Sequence, residues 1–293
     1  MDAKTVVGWD GAAQPSAAID WALERERHRH GTIALVRVVD NTRSSDDFHS
    51  TTDALDAAQR DLTLQSTRLK DADPQLFVTT TAVRGDTLDE LLRYTAPGTV
   101  LVVGAVRRDT RGRAGWSLGA RLAAAANGPV VIVPQDYPTR DGPIVVGVDG
   151  SAESQLALDA AADEAELRDT ELVLLHAWQE PVLVAEEYTV DIRLREAVEA
   201  QGHLVLEAAA DRAGQAHPGL VIRPLLVHAP PEGSLIELGE TARLLVVGSR
   251  HLRGLRRLLL GSVSHSIVIA LPCPVMVVGL GTHRASGRAE QTR

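Results

Sequence analysis

The sequence predicts an α/β protein made of two tandem, doubly wound domains, each with a mainly parallel five-stranded sheet. Three observations carry this expectation. Short β-rich apolar runs alternate with longer stretches of helical periodicity, the pattern of strand–helix–strand units. The whole series occurs twice along 293 residues. Aromatic residues make up only 3% of a chain that is 44% apolar. Its cores must therefore be built from Val, Leu, Ile and Ala, as in parallel sheets covered on both faces.

In chain order, the first strand is expected at Thr5–Trp9, ending in Asp10-Gly11. Ser16–His28 follows with Ala17, Ala18, Trp21, Ala22 and Arg25 around one helical face. Thr32–Val39 reads as the second strand, and the Ser/Asp-rich segment Asn41–Ser50 as loop. Thr52–Leu69 is helical by the spacing of Leu55, Ala58, Leu62 and Leu69. Phe77–Val83 is the third strand, and Thr87–Thr95 a helix that stops before Pro97-Gly98. Val100–Val103 is the fourth strand, ending on Gly104. A basic loop, a short Ala-rich helix near Arg121–Ala126 and a fifth strand, Val130–Val133, complete the unit.

The second series matches the first closely. Asp10-Gly11 recurs as Asp149-Gly150, 139 residues on, and Ile33–Val36 falls on Leu172–Leu175 at the same offset. Val100–Gly104 falls on Leu244–Gly248 at 144, and Pro129-Val130 on Pro274-Val275 at 145. So small a drift means tandem duplication of one domain. The expected division is 1–137 and 143–280, joined through the Pro/Asp/Gly-rich stretch Gln135–Pro143, with a polar, disordered tail at 281–293. The apolar last strands, Val130–Val133 and Val275–Val278, are expected to pair at the sheet edges and join the domains, and a homodimer is expected.

Composition narrows the function classes. A formal net charge of −9 argues against broad nucleic-acid binding, which needs a basic face. A single cysteine, Cys273, excludes a disulfide framework within the chain and suits a reducing compartment. The N-terminal MDAKTVVGWDG lacks an apolar signal core, and no apolar run approaches the roughly 20 residues of a membrane span. The expectation is a cytoplasmic protein with no membrane partner.

One stretch carries the chemistry. Leu244–His265 reads as apolar strand, Gly248, a basic glycine-containing loop, Gly261-Ser262-Val263-Ser264, and a helix over Ser264–Leu271. Glycine lets a backbone approach an anion, and helix N-terminal N–H groups point at it. In open parallel sheets ligands sit beyond the carboxyl ends of the strands, where Asp149 and Gly248 both fall. P-loop, dinucleotide and His/Cys metal patterns are missing from the sequence, and no catalytic constellation stands out.

These motifs resemble the universal stress protein (UspA-like) family in its tandem form. The resemblance runs from Thr5 to Val278 and rests on IVVGVDGS (Ile144–Ser151), LLHAW (Leu174–Trp178), VVGSRHLRGLRRLLLGSVSH (Val246–His265) and PCPVMVV (Pro272–Val278). ATP-binding members share G-x2-G-x9-G-[S/T]. Here Gly248 and Gly261-Ser262 keep the spacing, while His251 replaces the second glycine. The resemblance implies a Rossmann-like, adenine nucleotide alpha hydrolase-like fold and a stress-response role through nucleotide-dependent conformation or partner binding. It implies ATP, with Mg²⁺, as cofactor, an unidentified protein partner, and no enzymatic turnover.

Carried over by position, Gly147, Val148 and Ala177 would surround adenine, and Asp149 would accept from ribose. Val247 and Gly248 would line the path of sugar and phosphates. Gly261, Ser262, Val263 and Ser264 would hold phosphates, and Arg250 and His251 would add charge. Plainer roles stand beside these: Asp149 as a turn residue, and Ser262 and Ser264 as helix caps. Trp178 and Cys273 read as packing residues, and His176 as packed or exposed, not catalytic. In the first unit Gly8, Asp10, Val38 and Gly104 take the equivalent places, but Arg107 and either Trp116-Ser117 or Gly119-Ala120 break the pattern. That unit is expected to bind nucleotide weakly or not at all. The alternatives are an interaction module without a working nucleotide site, or a weak ATPase or autokinase.

Overall fold

The computed structural model describes residues 4–11, 16–29, 31–40, 48–105, 117–138, 140–179, 192–249 and 260–279. The tail at 281–293, Arg250 and His251, and Arg107 and Trp116 lie outside them. The first half runs β1 (Lys4–Gly8), α1 (Ala17–Arg29), β2 (Thr32–Asp40), α2 (Phe48–Ala72), β3 (Phe77–Gly85), α3 (Thr87–Leu92), β4 (Thr99–Ala105), α4 (Leu118–Ala125) and β5 (Val130–Pro134). The second repeats it: β6 (Ile144–Gly147), α5 (Ala152–Leu167), β7 (Leu172–Trp178), α6 (Ile192–Ala216), β8 (Ile222–His228), α7 (Pro231–Gly239), β9 (Leu244–Ser249), α8 (Ser262–Ala270) and β10 (Val275–Gly279).

The strands form one ten-stranded sheet in the order β3-β2-β1-β4-β5-β10-β9-β6-β7-β8. Pairing is parallel except at the centre, where β5 and β10 run antiparallel. The last strand of each half therefore covers the other's edge, which removes two exposed edges. This is the pairing expected from the sequence, met within one chain.

Every central strand is apolar on both sides, because helices cover both faces. α1, α2, α5 and α6 pack one core with Val7, Val102, Val146 and Val246. α3, α4, α7 and α8 pack the other with Val6, Leu101, Val145 and Leu245. Both cores cross the seam between the halves. Cys273 is fully buried with its thiol toward the Pro274 carbonyl, the packing role expected of it.

Four helices have bounds that differ from the sequence reading. α2 begins at Phe48, inside the segment expected as loop. Propagation adds one hydrogen bond per residue fixed, so an anchored helix extends through weak helix formers. α3 stops at Leu92, where Arg93, Tyr94 and Thr95 N–H groups bond three residues back and tighten the last turn. α4 and α8 start earlier than expected, at Leu118 and Ser262, because the capping residues are Ser117 and Gly261.

Candidate functional site

A cavity of about 300 Å³ opens at the carboxyl ends of β6, β7 and β9. Its walls bring together ten of the residues singled out from the sequence: Gly147, Val148, Asp149, Ala177, Val247, Gly248, Gly261, Ser262, Val263 and Ser264. The last four come from a segment more than a hundred residues away from the first three, so topology alone makes them neighbours.

The β6 end is held rigidly. The Val148 N–H donates to the Leu175 carbonyl at 2.9 Å, and the His176 ring Nδ1 lies 2.7 Å from the Val148 carbonyl. His176 thus fixes the strand end that presents Asp149, a positioning role where the sequence suggested only a packed or exposed residue. Gly150 turns the chain in the left-handed region at φ 79°, which favours glycine. The exposed Asp149 carboxylate accepts from the Ser151 N–H at 2.9 Å, so it is a turn residue and still faces the cavity. Ser151 caps α5, accepting from the Ser154 N–H at 3.2 Å.

Gly248 is constrained by the protein itself. A Cβ there would lie 2.7 Å from the carbonyl carbon and oxygen of Glu153 and 3.0 Å from the Ser154 nitrogen. The strand end and the first turn of α5 touch backbone to backbone, a close approach that sequence reasoning assigned to a ligand. Gly147 faces Leu235 of α7, whose Cδ1 would be 3.2 Å from an added Cβ.

The opposite wall is the N-terminus of α8. Its N-cap is Gly261, which has no side chain to accept from the first-turn amides. The Ser264 hydroxyl turns back to the Gly261 carbonyl at 3.1 Å. The amides of the first turn, which have no partner within a helix, open on the cavity with the positive end of the helix dipole. Ser262 is exposed at this rim.

Sequence reasoning missed Glu153, Ser154, Leu175, Pro231 and Leu235, which also line the cavity. Ser154 was legible as part of a Ser-x-x-Ser capping pattern. Pro231 and Leu235 carried no local signal, since they reach the site only because α7 packs over β6.

The first half holds an equivalent cavity of about 230 Å³, lined by Gly8, Trp9, Asp10, Val38, Gly104 and Leu118 among others. Trp9 stands where the second half has Val148, and Val38 where it has Ala177. The α4 N-terminus is closed, because Ser117 accepts from the Ala120 N–H at 3.2 Å. Two halves of one fold thus differ at the place where an anion would sit.

Comparison with known proteins agrees with this architecture. The model of the universal stress protein family matches residues 3–134 and 142–279. Universal stress protein Rv1996 of Mycobacterium tuberculosis is 36% identical over 169 residues. That match covers 55% of this chain and 52% of the relative, so the chain spans about half the length of the first curated relatives it matches. Universal stress protein Rv2005c of the same species is 28% identical over 286 residues, covering 93% of this chain and 95% of the relative. Among solved structures, a universal stress protein from Archaeoglobus fulgidus superposes with a TM-score of 0.67 over 95% of this chain and 97% of that one. At 16% identity this likeness speaks for the fold alone. The chain belongs to the universal stress protein family, with two family domains in tandem.

Proposed function

We propose that the second half binds ATP, carried with Mg²⁺, and that occupancy changes the conformation or partner binding of a cytoplasmic stress-response protein. The observation that carries this reading is the single cavity in which a carboxylate at the β6 end faces an uncapped helix N-terminus across an apolar floor. Leu175, Ala177, Leu235 and Val247 offer a surface suited to a purine. Asp149 is an acceptor for ribose hydroxyls. The first-turn amides of α8, with Ser262, suit phosphate oxygens. Among the described residues no group of three His, Cys, Asp or Glu is placed to hold a metal, so the cation would arrive on the phosphates. The self-capped helix of the first half does not suit a triphosphate, and one nucleotide per chain is the expected stoichiometry.

Calorimetric titration of ATP with Mg²⁺ tests this. Asp149→Ala should weaken binding about 10- to 100-fold, the loss of a hydrogen bond to a charged group. Gly261→Glu should abolish it by placing an anion at the phosphate end. Absence of wild-type binding at millimolar ATP would refute the proposal. Bound ATP that turns over, with turnover lost in the same variants, would replace it by an enzymatic reading.

A further inference from the structure

The seam between the halves has a local two-fold axis. In the β5–β10 ladder Val131 pairs with Met276, flanked by Ile132–Val275 and Val130–Val277. Val131 and Met276 are each other's equivalents in the repeat, 145 residues apart, so the register is symmetric about them. The same axis emerges between α1 and α5. There the Arg25 Nε donates to Glu164 Oε1 at 2.7 Å, and these positions are again equivalents, 139 residues apart. A residue on a two-fold axis meets its own counterpart, so this contact would be a self-contact in any pair of like halves.

The environment of the pair is unlike on its two sides. Arg25 also donates to Glu26 Oε1 at 2.7 Å and to Thr5 Oγ1 at 2.8 Å. The equivalents of Thr5 and Glu26 in the second half are Ile144 and Ala165. Glu164 is held in turn by Arg168, four residues along α5. The side chains of Arg25, Glu26, Glu164 and Arg168 are all 0–3% exposed. At such burial an ion pair contributes little net stability, whereas a mismatched charge is costly.

We propose that Arg25 and Glu164 form a mating key: a first half accepts a second half across this seam and refuses a copy of itself. Two first halves would set Arg25 against Arg25, and two second halves Glu164 against Glu164. Each side chain would keep Glu26 or Arg168 but exchange its cross-helix bond for a buried like-charge contact. A second copy of this chain can therefore share the seam only by exchanging unlike halves.

Full-length Arg25→Glu and Glu164→Arg chains test this. Each alone carries like charges on its own axis. Each should lose on the order of 10 °C in melting temperature and leave the elution position of the wild type. Refolded together, the two variants regain opposite charges only across two chains. Native mass spectrometry should then find a 1:1 mixed assembly that two differently tagged wild-type chains do not form. A chain with Arg25, Glu26, Glu164 and Arg168 all replaced by Met, which leaves none of the four buried charges behind, should keep wild-type size and melt within about 5 °C of it. The proposal is overturned if either charge variant alone keeps wild-type size and melting temperature. It is also overturned if co-refolding yields no mixed assembly, including the case where neither variant refolds alone. A four-Met chain that loses wild-type size would overturn it too, since the charges would then hold the seam and not select for it.

Discussion

Gly248→Ala is the sharpest test of how the cavity is built. The new methyl group would stand 2.7 Å from two backbone atoms of Glu153, against 3.4–4 Å for ordinary contact. The obstacle is main chain, so no side chain can swing aside. The first turn of α5 or the end of β9 must move by ~0.7 Å, a strain of the kind that costs about 1–3 kcal/mol in a packed core. For a chain of this size that lowers the melting temperature by about 2–10 °C. The turn that moves carries Ser151, Glu153 and Ser154, three lining residues, so nucleotide affinity should fall as well. Gly104→Ala is the internal control. It changes the equivalent residue of the first half, where a Cβ would meet only the Ala18 Cβ, at 3.9 Å. Its effect should stay within about 0.5 kcal/mol. Thermal melts of both variants, with and without ATP, decide the matter. Equal melting temperatures for the two variants would refute the packing argument.

Three further outcomes are expected. Gly261→Ser should change stability by only a few tenths of a kcal/mol, since both residues cap helices well, yet lower ATP affinity about tenfold by giving α8 the self-cap seen at Ser117; unchanged affinity in calorimetry would remove the helix terminus from the site. Burial pushes the Glu164 carboxyl up, but Arg168 and Arg25 more than offset this and hold it below its ordinary value. A depressed folded pKa contributes stability that is present above about pH 4.5 and lost as pH falls through the folded value; acid unfolding monitored by circular dichroism should therefore begin at higher pH in Arg168→Met than in wild type. Tyr137 donates to the Ala242 carbonyl at 3.0 Å, and burial, with smaller charge effects, pushes its phenol up to about 12. Between pH 10 and 12 the unfolded chain loses this proton first, so stability falls with rising pH, and Tyr137→Phe should flatten that loss in alkaline melts.

Much of this protein was legible along the chain, for identifiable reasons. Asp-Gly after an apolar run marked the end of β6, because only a left-handed turn continues there, and φ 79° at Gly150 bears this out. The duplication followed from offsets alone, and the fold class from strands apolar on every side. The residues the site draws from α7 were not legible. Leu235 looks like any apolar helix residue until packing sets it against Gly147. The reason for Gly248 was also misplaced: the sequence shows that the backbone must come close to something, and tertiary structure shows that the something is the Glu153 backbone.

The same division holds for the seam. Sequence by itself determined two homologous halves, their apolar last strands and their strand-end glycines, because hydrophobic periodicity and turn chemistry act over a few residues. Only the tertiary structure decided that Arg25 meets Glu164, that Ser117 closes one helix terminus while Gly261 leaves the other uncapped, and that one cavity gathers residues from Gly147 to Ser264. Those facts depend on which surfaces a symmetric fold brings onto its axis and to its strand ends, and no local pattern encodes that.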